Sequence, residues 1–498
     1  MPLTSLNHLN LANGQFDQTS REELAQLFVR LREDEQKDKH LMIHFHGGLV
    51  NQKHATKVIE NTLLPAHDLP HSYPIFFIWQ SGFIDVLRNN LSEITQERIF
   101  KLLRKRILNF VLSKIKKKLT DGLEEITTKG FDSVYDELEV NEDTQQIFAD
   151  YEGHLEEVDE VSGAEKFLLE EELRTDQELE LECKLIAGYI QDQVSVDDGS
   201  KGVRVRANTK TLMEPSMFME VNTAAEATGS SKGILTFGKI IKEAVKVAIK
   251  VIRRYRKKTH HGLYPTIFEE ICRTYYLANA GKLLWTTMKK DTRDAFQADG
   301  QRYGGTAFLE ELNQHWKEGH RPEITLVGHS AGSVYICHLL EAAAQLLDSD
   351  IRFNIIFMAP ACTMDLFATT IEQYGERMNQ VRLFSMSDEL EKKDKLLSFI
   401  YPRSLLYLVA GLAEEEIDQP LLGMQRYFMN KPPYQLDKNP SIKTCIDYLS
   451  GKEESLIWSL YDGGDGKRCT AEKHGAFDDD DPNTLKSVQY LIKTNDYS

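Results

Sequence analysis

Ile324-Thr325-Leu326-Val327-Gly328-His329-Ser330-Ala331-Gly332-Ser333-Val334 is the stretch on which the reading of this chain turns. A β-branched, apolar run ends in Gly-x-Ser-x-Gly, and a helical pattern follows at once. This is the sequence form of a nucleophile elbow, a strained strand-to-helix turn that presents one serine hydroxyl. The flanking positions are glycine because the turn brings backbone and neighbours too close for side chains. Pro322 precedes the strand, and Val334 to Leu347 continues as a helix with Ile336, Leu339, Leu340 and Ala343 on one face. The pentapeptide alone is a weak signal, since three fixed residues at ~7% frequency recur by chance roughly once or twice in ten chains of this length. A second match, Gly229-Ser230-Ser231-Lys232-Gly233, follows Asn222 to Thr228, which does not read as a buried strand. Ser231 therefore reads as part of a Gly/Ser linker, and Ser330 as the nucleophile candidate.

A serine hydroxyl is a weak nucleophile until a base takes its proton, and the oxyanion that follows needs main-chain donors. The chain order Ser…Asp/Glu…His directs the search. His46-Gly47-Gly48 ends an apolar strand near the N-terminus, so Gly47 and Gly48, with the N–H of Ala331, are the oxyanion candidates. Asp388 follows the apolar strand Val381 to Ser385 and is the acid candidate, with Glu389, Asp394 and Asp365 as rivals. His474 is the only histidine downstream of Asp388 and is the base candidate. The acidic run Asp478 to Asp481 after it either raises its pKa by attraction or caps a helix opening at Pro482.

Further out, strand and helix patterns alternate. Lys39 to Phe45, Tyr73 to Trp79, Asn354 to Met358 and Val381 to Ser385 read as buried parallel strands, with Leu456 to Leu460 as a last one. Arg21 to Arg32, Ala55 to Leu64, Ile267 to Met288, Thr306 to Trp316, Met364 to Tyr374 and Pro482 to Ile492 read as helices. The fold class is α/β, with a doubly wound, mostly parallel sheet. Residues 1–82 and 264–498 form the core, and 83–263 a helical insertion placed as a cap or lid.

The 498 residues carry a net charge of −17, which excludes a dedicated nucleic-acid binder. That average hides an asymmetry. Residues 99–119 carry eight basic side chains and no acidic one, and residues 239–258 nine basic and one acidic, with the acidic stretch Gly122 to Glu182 between them. Both basic stretches are amphipathic helices. They fit either peripheral contact with an anionic membrane surface, or packing inside the cap with their charges paired to the acidic stretch. No apolar run spans a bilayer and no secretory signal is seen. The six unpaired-looking cysteines read as reduced thiols, and the expected compartment is the cytoplasm.

Taken together, the elbow at Ser330, the His46-Gly47-Gly48 turn, Asp388 and His474 resemble the α/β-hydrolase superfamily in its lipase/esterase branch. The resemblance covers roughly residues 38–82 and 265–498. It implies an eight-stranded, mostly parallel sheet with Ser330 as nucleophile, Asp388 as acid, His474 as base, and Gly47, Gly48 and Ala331 around the oxyanion. Three departures stand out: Leu49 occupies the place of a third glycine, the span from Gly48 to Ser330 is long, and so is the span from Asp388 to His474. The expected activity is hydrolysis of a carboxylic ester through an acyl-enzyme, which needs no metal or organic cofactor. A lipid-like ester is the leading substrate. The alternatives are a soluble small ester or thioester, and a non-catalytic membrane-associating or binding module on the same fold.

Overall fold

The computed structural model describes residues 3–33, 39–48, 52–67, 69–79, 83–120, 154–195, 211–214, 217, 232–276, 281–397, 400–452 and 454–497. Leu49, Ser231 and the acidic stretch up to residue 153 lie outside the described residues.

Eight strands form one sheet: β1 (His8–Ala12), β2 (Gln15–Phe16), β3 (His40–Phe45), β4 (Ser72–Trp79), β5 (Ile324–His329), β6 (Phe353–Met358), β7 (Met378–Met386) and β8 (Leu456–Ser459). Their order is β2-β1-β4-β3-β5-β6-β7-β8. β1 and β2 pair antiparallel, and every other neighbouring pair is parallel. The alternation of side chains along a strand explains the continuous apolar runs. Leu41, Ile43, Phe45, Ile75, Phe77, Leu326, Ile355 and Phe357 enter one core, whereas Met42, Phe76, Ile78, Val327, Ile356 and Met358 enter the other. Helices cover both faces: Arg21–Leu31, Gly304–Lys317, Gly332–Leu346 and Met364–Tyr374 contribute to the first core. The helical stretch from Gln52 to His67 and the last helix, Pro482–Thr494, contribute to the second.

Two elements differ from the sequence reading. The strands β1 and β2 are absent from it, because they are short and carry Asn10 and Gln15 where an apolar run would be needed. The single helix read over Ile267 to Met288 is two, Leu263–Tyr275 and Lys282–Asp294. Gly281, at φ +117°, caps the second in a conformation open to glycine.

The topology places the site. From β3 the chain moves outward to β4, then returns to β5 on the other side of β3, with Phe45 opposite Gly328. The C-terminal ends of β3 and β5 thus flank a switch point, where open α/β sheets leave a crevice.

The described helices between β4 and β5 are Phe83–Gln96, Arg98–Thr120, Gly163–Arg174, Gln177–Ser195, Lys232–Arg256, Leu263–Tyr275, Lys282–Asp294 and Gly304–Lys317. Ile99, Leu103, Ile107, Val111 and Ile115 are buried, as are Ile241, Ala244, Val245, Ala248 and Ile252. All belong to the first core without a break. Cations of the two basic helices pair with the acidic segment: Arg106 with Asp176 (2.6 Å), Lys114 with Glu165 (2.8 Å), Arg256 with Glu160 (2.5 Å) and Lys258 with Glu156 (2.8 Å). No described helix is long and apolar enough to cross a membrane. All six cysteines are buried and unbridged.

Candidate active site

Ser330 lies between β5 and the helix Gly332–Leu346, at φ +51°. A non-glycine residue holds this left-handed conformation at a cost of about 1–3 kcal/mol, which the surroundings must offset. Here the Ser330 N–H donates to the Met358 carbonyl (2.9 Å), and its own carbonyl accepts from the Ala361 N–H (3.0 Å) and the Ser333 hydroxyl (2.6 Å). A Cβ at Gly332 would overlap the Phe45 carbonyl, and one at Gly328 would stand 2.7 Å from Ile336 Cδ1. The helix can approach β3 this closely because neither position carries a side chain. His474 Nε2 is 3.0 Å from Ser330 Oγ, and both residues are buried. The two candidates of the sequence reading, 144 residues apart, are thus brought into contact.

The turn after β3 rests on the elbow. A Cβ at Gly47 would lie 3.2 Å from Ser330 Cβ, and one at Gly48 would strike the Met288 thioether and lie 3.1 Å from Ala331 Cβ. His46 fixes this turn. Its Nδ1–H donates to the Gly47 carbonyl (2.7 Å), and its Nε2 accepts the Trp79 main-chain N–H (3.1 Å). Those partners assign the neutral tautomer, in keeping with burial that pulls its pKa down to about 4. The Ala331 N–H has no acceptor among the described residues. It opens the helix Gly332–Leu346, whose N-terminal dipole favours negative charge.

The expected acid is not brought to the base. Asp388 is the first residue of the short helix Asp388–Lys393. Its carboxylate accepts from the Tyr407 hydroxyl (2.7 Å) and pairs with Lys392 one turn on (2.7 Å). Burial alone would raise its pKa, but Lys392 and Tyr407 outweigh it and hold the carboxyl below its usual range. Helix periodicity explains the miss: the first residue of the helix is drawn to the fifth, four positions on, not across the cleft. Of the rivals, Glu389 is exposed. Asp365 is exposed and accepts from Gln419 Nε2 (2.7 Å). Asp394, at the end of the helix, does reach His474: its Oδ2 accepts the His474 main-chain N–H at 3.0 Å. Burial pushes the Asp394 carboxyl up, and that hydrogen bond and Lys473 oppose the rise. His474 Nδ1 has no hydrogen-bond partner among the described residues.

Three side chains that were not site candidates in the sequence complete the cluster. His329 Nδ1 is 2.7 Å from Asp478 Oδ2, and its Nε2 is 3.1 Å from the His474 carbonyl oxygen. His44 Nε2 lies 3.3 Å from Asp478 Oδ1. Burial would raise the Asp478 pKa; His329 and His44 reverse this and hold the carboxyl far below the usual range. The acidic run after His474 therefore divides. Asp478 serves the cluster, and Asp481 caps the helix Pro482–Thr494, accepting from the Asn483 N–H (3.1 Å). The expected rise of the His474 pKa by attraction does not occur. Burial holds it well below 6.5, His329 adds to this, and Asp478 opposes it more weakly. One signal for His329 was present in the sequence, its place inside the elbow motif; for His44, inside an apolar strand, there was none.

A cavity of about 810 Å³ adjoins the cluster. His46, Gly47, His329, His474 and Asp394 face it, and Ser330 lies behind Gly47 and His474. Its apolar wall is Ala55, Val58, Ile59, Leu63, Leu390, Leu396 and Leu405. Exposed Arg88, Lys393, Lys395 and Lys473 stand around it with Glu472 and Asp480. Of the described insertion only Arg88 reaches the wall. The basic helices, expected to cover the site, instead turn their apolar faces into the first core, whereas Ala55, Ile59 and Leu63 belong to the second.

Comparison of the chain with protein-family models, with curated proteins and with solved structures gives no match.

Proposed function

We propose that this protein is a serine hydrolase of carboxylic esters built as an α/β-hydrolase. The observation that carries the proposal is the 3.0 Å contact between Ser330 Oγ and His474 Nε2 on a left-handed elbow at the switch point of the sheet. Ser330 attacks the ester carbonyl as His474 takes the hydroxyl proton. The N–H of Ala331, with the Gly47-Gly48 turn, receives the oxyanion. His474 then protonates the leaving alkoxide, and water attacks the acyl-enzyme by the same route in reverse. Asp394 replaces Asp388 as the carboxylate serving the base, through the His474 main chain. The eight-stranded, mostly parallel sheet and the order of nucleophile and base along the chain support the family assignment. The helical insertion, residues 83–263, is proposed as a cap that supplies Arg88 to the mouth of the cavity.

The apolar wall of the cavity supports an ester with an acyl chain. Burial of the apolar faces of both basic helices favours a soluble ester or thioester over one drawn from a membrane surface. Peripheral lipid contact would then fall to their outward cations. Labelling with a fluorophosphonate probe tests the proposal. It is expected in the wild type and in Ser231→Ala and is lost in Ser330→Ala; an unlabelled wild type refutes it. Binding to anionic liposomes that weakens with salt would restore the lipid reading.

A further inference from the structure

We infer that His329, the residue immediately before the nucleophile, is a positioning residue for the base: with Asp478 it clamps the main chain of His474 at the Ser330 hydroxyl. The inference rests on the ester-hydrolase reading above and adds a residue and an ionic state to it.

The geometry is specific. A histidine base is ordinarily oriented by a carboxylate on the ring nitrogen that faces away from the nucleophile. Here that nitrogen, His474 Nδ1, meets no partner among the described residues. The main chain on either side of the imidazole is held instead. Asp394 Oδ2 takes the His474 N–H at 3.0 Å, and His329 Nε2 reaches the His474 carbonyl at 3.1 Å. The same His329 ring reaches Asp478, four residues further on, with its Nδ1 at 2.7 Å. One imidazole therefore spans the segment that carries the base, and it grows from the strand that carries the nucleophile.

The protonation state follows from the partners. A carbonyl oxygen only accepts, and an ionised carboxylate only accepts. A ring facing one at each nitrogen must donate from both, so His329 is an imidazolium and Asp478 its counter-ion. His44 Nε2–H provides the second donor to that carboxylate, at 3.3 Å. Both charges are buried, and a buried charge of this kind persists when it is paired and hydrogen-bonded.

The charged groups set against His474 are His329 from β5, Asp394 from the end of the helix Asp388–Lys393 and Asp478 in the helix Ala476–Asp479, while Lys473 precedes it in the chain and His46 lines the same cavity. The His329 and His474 ring centroids are 5.3 Å apart. A fixed positive charge at that distance resists protonation of the base in the resting enzyme, so His474 stays free to accept the serine proton in mildly acidic solution.

His329→Gln separates the two roles, because the amide can still donate to the His474 carbonyl but carries no charge. The full-length protein is assayed with p-nitrophenyl butyrate across pH 4.5–9. His329→Gln is expected to lower kcat about 10-fold with KM within about twofold of wild type, and to move the acid limb of kcat/KM to higher pH. His329→Ala, which loses the donor as well, is expected to lower kcat about 100-fold. A His329→Gln enzyme with unchanged kcat and acid limb overturns the inference. Histidine-selective ¹⁵N NMR provides a readout independent of turnover. Wild type is expected to show a His329 signal with both ring N–H protons retained from pH 5 to 9, a signal absent in His329→Gln and reduced to one proton in Asp478→Asn. A single-proton His329 in wild type also overturns it. Failure of fluorophosphonate labelling in wild type would instead remove the hydrolase reading, while the NMR result would still decide the clamp.

Discussion

Two buried polar clusters sit in this molecule, and they are built to opposite rules. The first is the site: His44, His329, Asp478, His474 and Ser330. The second joins the end of the insertion to the core. There His261 has a carboxylate on each ring nitrogen, Glu269 at 2.8 Å and Asp418 at 2.8 Å. Arg254 pairs with Glu269 (2.7 Å) and Glu270 (3.4 Å). Asp418 also takes Arg426 (3.2 Å) and the hydroxyls of Tyr427 (2.6 Å) and Tyr434, while Tyr401 donates to Glu269. Arg426 lies over the rings of Tyr407 and Tyr427. None of these residues lines the cavity. His261 is thus fully engaged, whereas His474 touches a hydroxyl with one nitrogen, leaves the other unpartnered and faces open space. An engaged buried network fixes elements to one another. A network with an unspent imidazole beside a cavity has a proton position left for chemistry. Asp388 belongs with the engaged network around His261: its partner Tyr407 packs edge-on against that ring.

The contrast can be broken at several points. Ser330→Ala is expected to lower ester turnover by about 10⁴-fold or more without changing the melting temperature, since the deleted hydroxyl serves only the reaction. A comparable loss of stability would place Ser330 among the structural groups. Asp418→Asn should do the reverse, destabilising the fold by about 3–5 kcal/mol because His261 and Arg426 are left buried without a full counter-charge. Urea unfolding measures this, and kcat per folded molecule is expected to stay within about twofold. Asp394→Ala should lower kcat roughly 10-fold by freeing the His474 main chain, whereas Asp388→Asn is expected to cost less than about threefold. Equal losses in the two would return Asp388 to the base.

A pH series sharpens the same comparison. Burial lowers the pKa of His46 to about 4 and of His67 to about 3. The unfolded chain binds their protons below pH 6.5 and the folded chain does not, so stability is lost as the pH falls from about 6.5 towards those values. Each contributes on the order of 1–2 kcal/mol by pH 5. A melting temperature that is flat between pH 7 and 5 would contradict neutral burial of both rings.

Much of this was legible in the chain. The elbow carries its own local grammar, strand, Gly-x-Ser-x-Gly, helix, and each part follows from the period of its side chains. The parallel strands were readable because burial on both faces makes them apolar throughout. Chain order pointed to His474, and the fold brings it to 3.0 Å from Ser330. What escaped depends on tertiary direction. Asp388 and Asp394 lie six residues apart, at the two ends of one short helix, and only its path decides which reaches His474. His329 and Asp478 look ordinary in sequence, one as the variable residue of a motif and the other as one of four aspartates. Their pairing exists only because β5 and the C-terminal loop converge. The basic helices showed a clear apolar face, but a face does not name its partner.

The neighbours β3 and β5 have one further consequence, for the order in which the molecule can be made. His40 and Thr325, hydrogen-bonded across them, are 285 residues apart. At ~5–20 residues per second of synthesis, β3 waits roughly a quarter of a minute to a minute for β5. Meanwhile the half-sheet β2-β1-β4-β3, complete by residue 79, presents an open parallel edge at β3. Unpaired edges of this kind recruit other chains. Chains ended before residue 324 are therefore expected in the insoluble fraction, and chains that include β5 and β6 in the soluble one. The late strand that leads into Ser330 is also the strand that covers the open edge of β3.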